Sequence, residues 1–193
     1  GKDDRWSIDA KIQYINSFAK NRPISGASSN NYFYTMYTMP ISLDIREFKQ
    51  AKNSEDGSMY WWQKGSGMNP YWAKDYSTNQ DSRNRFLQNY SLKYRFTDWL
   101  NMELKAGSDM YFTESESKLY AGSPNSTNGR YSLGEDKFFE NNFSFLVTAQ
   151  KDRVIDKLGG TITFGGNIME RKSTGATNSV SELTIPDLFW LGN

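Results

Sequence analysis

The sequence predicts an all-β fold: an antiparallel transmembrane β-barrel segment of about five strands, carrying long extracellular loops. Three observations predict it. Five stretches alternate apolar and polar residues, the period of a strand with one apolar face, because successive side chains point to opposite sides of a sheet. The stretches run to about 11 to 14 residues, where globular strands usually have about 5 or 6 and a tilted bilayer crossing needs roughly 9 to 11. The connections between them are long, short, long and short. In an antiparallel meander that order puts the short turns at one end and the long loops at the other, as in outer-membrane barrels. Alternation alone also fits a soluble sandwich, so a soluble or secreted β-rich carbohydrate-binding module is the competing expectation.

The first strand is read over 6–18, where Trp6, Ile8, Ala10, Ile12 and Tyr14 are apolar and the odd positions between them polar. A connection over 21–83 follows. Within it, Tyr32 to Met39 reads as one or two helical turns, capped by Asn30 or Asn31 and stopped before Pro40. The second strand, 85–96, sets Phe86, Tyr90, Leu92, Tyr94 and Phe96 on one face and Arg85, Asn89, Ser91, Lys93 and Arg95 on the other. The third, 100–113, keeps that parity in Leu100, Met102, Leu104, Ala106, Met110 and Phe112, so Thr97-Asp98-Trp99 should form an odd turn. After a connection over 114–139, the fourth strand, 140–154, moves its apolar set to the odd positions Phe143, Phe145, Val147 and Ala149. The fifth, 158–171, returns to even ones, which requires an even turn at Asp156-Lys157. Lys151 and Arg153 then fall on the apolar face near that turn and need a bulge, a short strand or a snorkelling position. Residues 172–193 read as a further loop.

Composition narrows the function. Of the 193 residues, 16% are aromatic, with 12 Tyr, 12 Phe and 6 Trp. A mean hydropathy of -0.76 is compatible with a barrel, in which only alternate strand residues face lipid. The net charge of +1 gives no reason to expect nucleic acid as a partner. No run of about 18 apolar residues is present for a membrane helix, and Gly1 to Arg5 lead into the first strand without a signal sequence. Cysteine and histidine are both absent, which removes thiol chemistry, the commonest general base and the commonest metal ligand. No nucleophile elbow is present. We therefore expect no enzyme, no catalytic residue, no cofactor and no metal. Glu114 and Glu116 form no glycosidase pair on these grounds, and with Glu135 and Asp136 they lack Ca²⁺-loop spacing.

Five strands cannot close a barrel without unpaired edges, which lipid excludes, so the stretch is expected to belong to a longer barrel. Its motifs carry a resemblance. Asn69-Pro70-Tyr71-Trp72-Ala73, Asn79 to Phe86, Ser91-Leu92-Lys93-Tyr94 and Thr97-Asp98-Trp99-Leu100 resemble the SusC/RagA family of TonB-linked outer-membrane transporters of Bacteroidetes. Tyr120-Ala121-Gly122-Ser123-Pro124, Gly129-Arg130-Tyr131-Ser132, Asn141 to Leu146 and Gly165-Gly166-Asn167 are similar to further blocks in the same order. The resemblance implies a barrel of about 22 strands closed by a plug, import of glycan oligosaccharides or peptides driven through the TonB complex, and a SusD-like surface lipoprotein as a lid. It implies the outer membrane as location and outer-membrane lipid as a partner. The plug domain and TonB box are expected to be absent from this stretch, which reads as a middle portion of the barrel.

Two aromatic sets in the first connection are the candidate binding residues. Tyr60, Trp61, Trp62, Tyr71 and Trp72 could stack on sugar faces, since flat rings bury large area at low entropic cost; packing of the long loop is the alternative. Tyr32, Tyr34, Met36 and Tyr37 could contact the lid, because aromatics and Met are enriched at protein interfaces. Trp6, Phe96 and Trp99 read as an interfacial aromatic girdle near the short turns. The polar-face charges Asp9, Lys11, Lys93, Arg95, Glu103, Lys105 and Asp109 are expected mainly to pair across neighbouring strands.

Overall fold

The computed structural model describes residues 5–23, 25–27, 31–63, 65, 67–124, 126–155 and 158–193. Five strands, β1 (Trp6–Lys20), β2 (Ser77–Thr97), β3 (Leu100–Leu119), β4 (Arg130–Ile155) and β5 (Leu158–Val180), form one antiparallel sheet in chain order. No helix among the described residues is long and apolar enough to cross a membrane. The chain divides into two compact units: Gly1–Asn16, Arg83–Phe112 and Asp136–Gly175 in one, Ser17–Ser82, Thr113–Glu135 and Ala176–Asn193 in the other.

Side-chain contacts give the register. Trp6 meets Tyr94, Tyr14 meets Phe86 and the amide of Asn21 donates to the carbonyl of Asn79. The offset between β1 and β2 is the same at all three places, so no residue is inserted and even positions face even ones. Between β2 and β3, Arg85 pairs with Asp109 and Lys93 with Glu103, which keeps the parity expected for an odd turn. The turn itself is Asp98-Trp99, with Thr97 still in β2. Unchanged parity across a two-residue turn leaves one residue unmatched there, as in a bulge. Tyr111 stacks on Phe138 across β3 and β4, and Phe145 packs near Phe164 across β4 and β5. Both contacts carry the predicted switches to odd and back to even. The turn at Asp156-Lys157 lies outside the described residues. Lys151 and Arg153 remain in β4, exposed.

Strands run further than alternation showed: 15, 21, 20, 26 and 23 residues in chain order. The connection read over 114–139 shrinks to 120–129, and β5 takes in residues to Val180. The added parts are polar on both faces, as in Glu114-Ser115-Glu116-Ser117-Lys118, so no period marks them as strand.

In the first unit the two faces of the sheet differ. One carries Ile8, Ile12, Tyr14, Tyr90, Leu104, Phe143, Phe145, Ile162, Phe164 and Ile168; Ile8 and Ile162 are both 76% exposed. Trp6, Phe96 and Trp99 are exposed too, with Tyr94 packed between Trp6 and Phe96. Full burial of each such side chain is worth roughly 2 kcal/mol. Six or more left in water forfeit as much as the net stability of a whole domain, about 5 to 15 kcal/mol. An exposed apolar face of this size marks a surface that meets a partner or a membrane. The other face is ion-paired: Arg85 with Asp109, Lys93 and Lys105 with Glu103, and Arg171 with Glu140. It also stacks planar groups in a row, Arg83 over Tyr111, Tyr111 against Phe138 at 4.7 Å and Arg171 over Phe138.

Candidate functional site

The second unit folds the first long connection around a core of its own. Asn31 caps α1 (Tyr32–Thr38), its side-chain oxygen accepting from the amides of Phe33 and Tyr34, and the helix ends at Met39 ahead of Pro40. Of the two predicted caps, Asn30 lies outside the described residues. A 3₁₀ turn at Ile45–Phe48 follows, capped by Asp44. Then comes α2 (Pro70–Tyr76), which the sequence reading treated as loop. Asn69 accepts from the Tyr71 amide, and Pro70 opens the helix at a position where its missing N–H costs nothing. That Asn-Pro pair was the signal for a helix start.

Asn69 does more than cap. It is fully buried, and its side-chain amide donates to the carbonyls of Phe48 at 2.9 Å and Tyr60 at 2.8 Å. One side chain thereby ties α2 to the 3₁₀ turn and to the Tyr60 segment. Met68, Trp72, Ala51 and Ala73 form the core, with Tyr32, Met59, Tyr71, Tyr76 and Leu119 packed around it. Gly122 closes the unit against the 57–59 segment. At φ +79 it accepts from the Met59 amide, and an added Cβ would sit 2.7 Å from the Gly57 carbonyl oxygen.

The aromatic candidates separate by burial. Trp72 is 0% exposed, stacked near Tyr76 and donating its indole N–H to the Ser123 hydroxyl at 2.8 Å. It takes the packing role and offers no face to a ligand. Tyr60 is exposed on one side and lies 5.5 Å from Phe48, whose ring Trp61 meets edge-on at 4.9 Å. Trp61 and Trp62 are half-buried, and their indole N–H groups are buried without a hydrogen-bond partner. Tyr34, Met36 and Tyr37 are exposed on α1, Tyr37 at 90%, while Tyr32 is half-buried against Phe33.

Two concavities take in Tyr32, Met36, Tyr71 and Trp61, while Tyr34, Tyr37, Tyr60 and Trp62 line neither. One, of about 460 Å³, lies between α1, α2 and the start of β2; Tyr32, Met36, Ile45 and Tyr71 form its apolar wall and Arg22 and Lys74 its rim. It thus joins one residue predicted for ligand contact to two predicted for partner contact. The other, of about 650 Å³, is lined by Trp61 with Asp56, Ser58, Ser126 and Glu182. Both volumes fall in the range of small-molecule sites. Sequence reasoning missed Glu182. Its carboxylate accepts from the Asn128 amide and the Ser126 hydroxyl, so the chain after β5 is clasped to the 126–129 turn. Leu183 is buried beside that turn, its amide donating to the Gly129 carbonyl.

The acidic residues weighed for metal or glycosidase chemistry are used structurally where contacts are resolved. Glu116 accepts from Gln80 and Tyr131 and pairs with Lys118. Among the described residues no group of three acidic side chains is placed to hold a metal ion. Asp44, gripped by the Arg46 guanidinium and amide, has its carboxyl lowered to about 2. The Asn128 amide, ahead of the Ser126 hydroxyl, holds the Glu182 carboxyl below the ordinary range. No protein-family model matches the chain, and no curated protein matches it.

Proposed function

We propose that this chain is wall and loop of an outer-membrane β-barrel importer of the SusC/RagA type, taking up glycan oligosaccharides or peptides. The observation that carries the reading is the uncovered apolar face of a sheet whose opposite face is ion-paired. Lipid is the solvent that removes the cost of the first face, and a water-filled lumen or plug suits the second. Strands of 20 to 26 residues in β2–β5 exceed the roughly 10 needed to cross, which leaves their loop ends free to rise above the membrane. The second unit, by itself, carries two concavities. The Trp61 concavity suits an oligosaccharide, because a flat ring and carboxylate acceptors recognise the two kinds of surface a sugar has. The exposed Tyr34, Met36 and Tyr37 of α1 suit a SusD-like lid.

The test uses the parent protein in its own cell envelope. A barrel fractionates with the outer membrane, needs detergent for extraction and migrates differently on gels before and after boiling. Deletion of the gene should abolish growth on the imported solute as sole carbon source. A parent that partitions into water without detergent and melts as a soluble protein overturns the reading.

A further inference from the structure

We propose that the loop ends of β1, β2 and β3, together with the end of α2, form a phosphate-binding site, occupied by the phosphate of an outer-leaflet lipid headgroup; the assignment to lipid rests on the barrel reading above. A cavity of about 520 Å³ there is lined by Lys20, Lys74 and Lys118 and by Thr78. Two carboxylates share it. Asp75 lies 3.8 Å from Lys74, and Glu116 lies 2.8 Å from Lys118. Each ammonium has three N–H donors, so a single carboxylate contact leaves donors over, and the exposed Lys20 brings a third ammonium. One positive charge is in excess, which favours a compact anion over a neutral sugar. Lys118 is held in place by the rings of Tyr131 and Phe189, 6.0 and 5.8 Å away.

The side of the sheet identifies the source. Lys20, Thr78 and Lys118 occupy even positions of strands whose register is unbroken, the parity that carries the apolar residues. Lys20 follows Phe18, an exposed ring of the β1 apolar series, by two residues, about 7 Å along the strand. On the barrel reading that step leaves the hydrocarbon and enters the headgroup layer, where lysines attract anionic lipid.

The full-length protein in detergent micelles tests this by native mass spectrometry. Phosphatidylglycerol should be retained over phosphatidylcholine of the same chains by on the order of tenfold. The double substitution Lys20→Gln with Lys118→Gln should erase the preference while the unboiled gel band still reports a folded barrel. Equal retention of the two lipids by a folded wild-type barrel overturns the inference and leaves the transporter reading standing. Inorganic phosphate that binds alone at sub-millimolar concentration and displaces the lipid overturns the lipid source and makes the site one for a free anion. A chain that needs no detergent fails the transporter reading instead.

Discussion

The sheet of the first unit and the small core of the second place apolar side chains in opposite ways. In the sheet of the first, Ile8, Tyr90, Phe143 and Ile162 point outward with nothing over them. In the second, Met68, Trp72 and Leu183 are turned inward until almost no surface remains. A folded chain in water does the second wherever it can, because apolar burial is its main driving force. An apolar face left open in this way marks a surface that meets a membrane or a partner. The contrast can be removed or measured.

The largest effect should come from the inward side. Trp72→Ala removes the centre of the small core and the donor to Ser123, a loss of about 3–5 kcal/mol for a buried Trp. Hydrogen exchange should rise across residues 31–76 while amides of the first unit stay protected. Uniform exchange in both units would show that they do not differ in this way.

Next in size is a charge on the outward side. Ile162→Arg should destabilise the folded barrel by about 2–4 kcal/mol if that position sits near mid-bilayer, read as a shift in the urea midpoint during refolding into vesicles. On a soluble sheet the same substitution at a 76% exposed residue would be close to neutral or would raise solubility. The sign of this single measurement separates lipid from water.

Asn69→Ala comes third. It removes a helix cap, worth about 1 kcal/mol, and leaves the Phe48 and Tyr60 carbonyls without their donor, at about 1–3 kcal/mol. Loop proteolysis should quicken markedly, and Asn69→Asp, which keeps the cap but not the amide donors, should recover only part of the loss. Trp61→Ala is smaller in stability but should weaken oligosaccharide uptake by roughly tenfold, with the loop still protected from protease. A loss of uptake that tracks loop unfolding would return Trp61 to the packing role that Trp72 has.

Legibility in the sequence follows the same divide. The sheet of the first unit was readable because its two faces differ, which imposes strict alternation: the parities and their switches follow from Phe86, Leu104, Phe145 and Ile162, while the turn after β2 has two residues, Asp98-Trp99, and not the three that were read. The loop ends of the strands were not, since Glu114 to Lys118 are polar on both sides and a period needs two different environments to appear. In the second unit the short helix at Tyr32 was legible from its cap and its proline, but α2 was not. Its seven residues are too few to show a 3.6-residue period, and the start signal in Asn69-Pro70 lay inside the stretch read as a connection. Nor can any local pattern reveal that Asn69 reaches Phe48, or that Glu182 reaches back to Asn128.

That last contact gives the smallest and most local prediction. Glu182 accepts from the Asn128 amide first, then from the Ser126 hydroxyl, and its carboxyl is lowered in consequence. A carboxylate whose folded pKa is depressed contributes stability that is fully present above its unfolded value and is lost as pH falls through the folded one. The clasp between the chain after β5 and the 126–129 turn should therefore hold at neutral pH, begin to loosen near the ordinary glutamate range, where the open form takes up a proton, and go on loosening until the pH has fallen through the lowered folded value. Exchange at the Asn128 and Leu183 amides, followed from pH 7 to 3 after correction for intrinsic rates, should rise through this window. Glu182→Gln keeps the shape but not the charge, so its exchange should be raised at neutral pH and flat across the range. Wild-type exchange that stays flat from pH 7 to 3 would mean that the carboxylate is solvated and the clasp is held by Leu183 alone. The small core would then end at the turn, and the inward character of the second unit would not extend to the segment after β5.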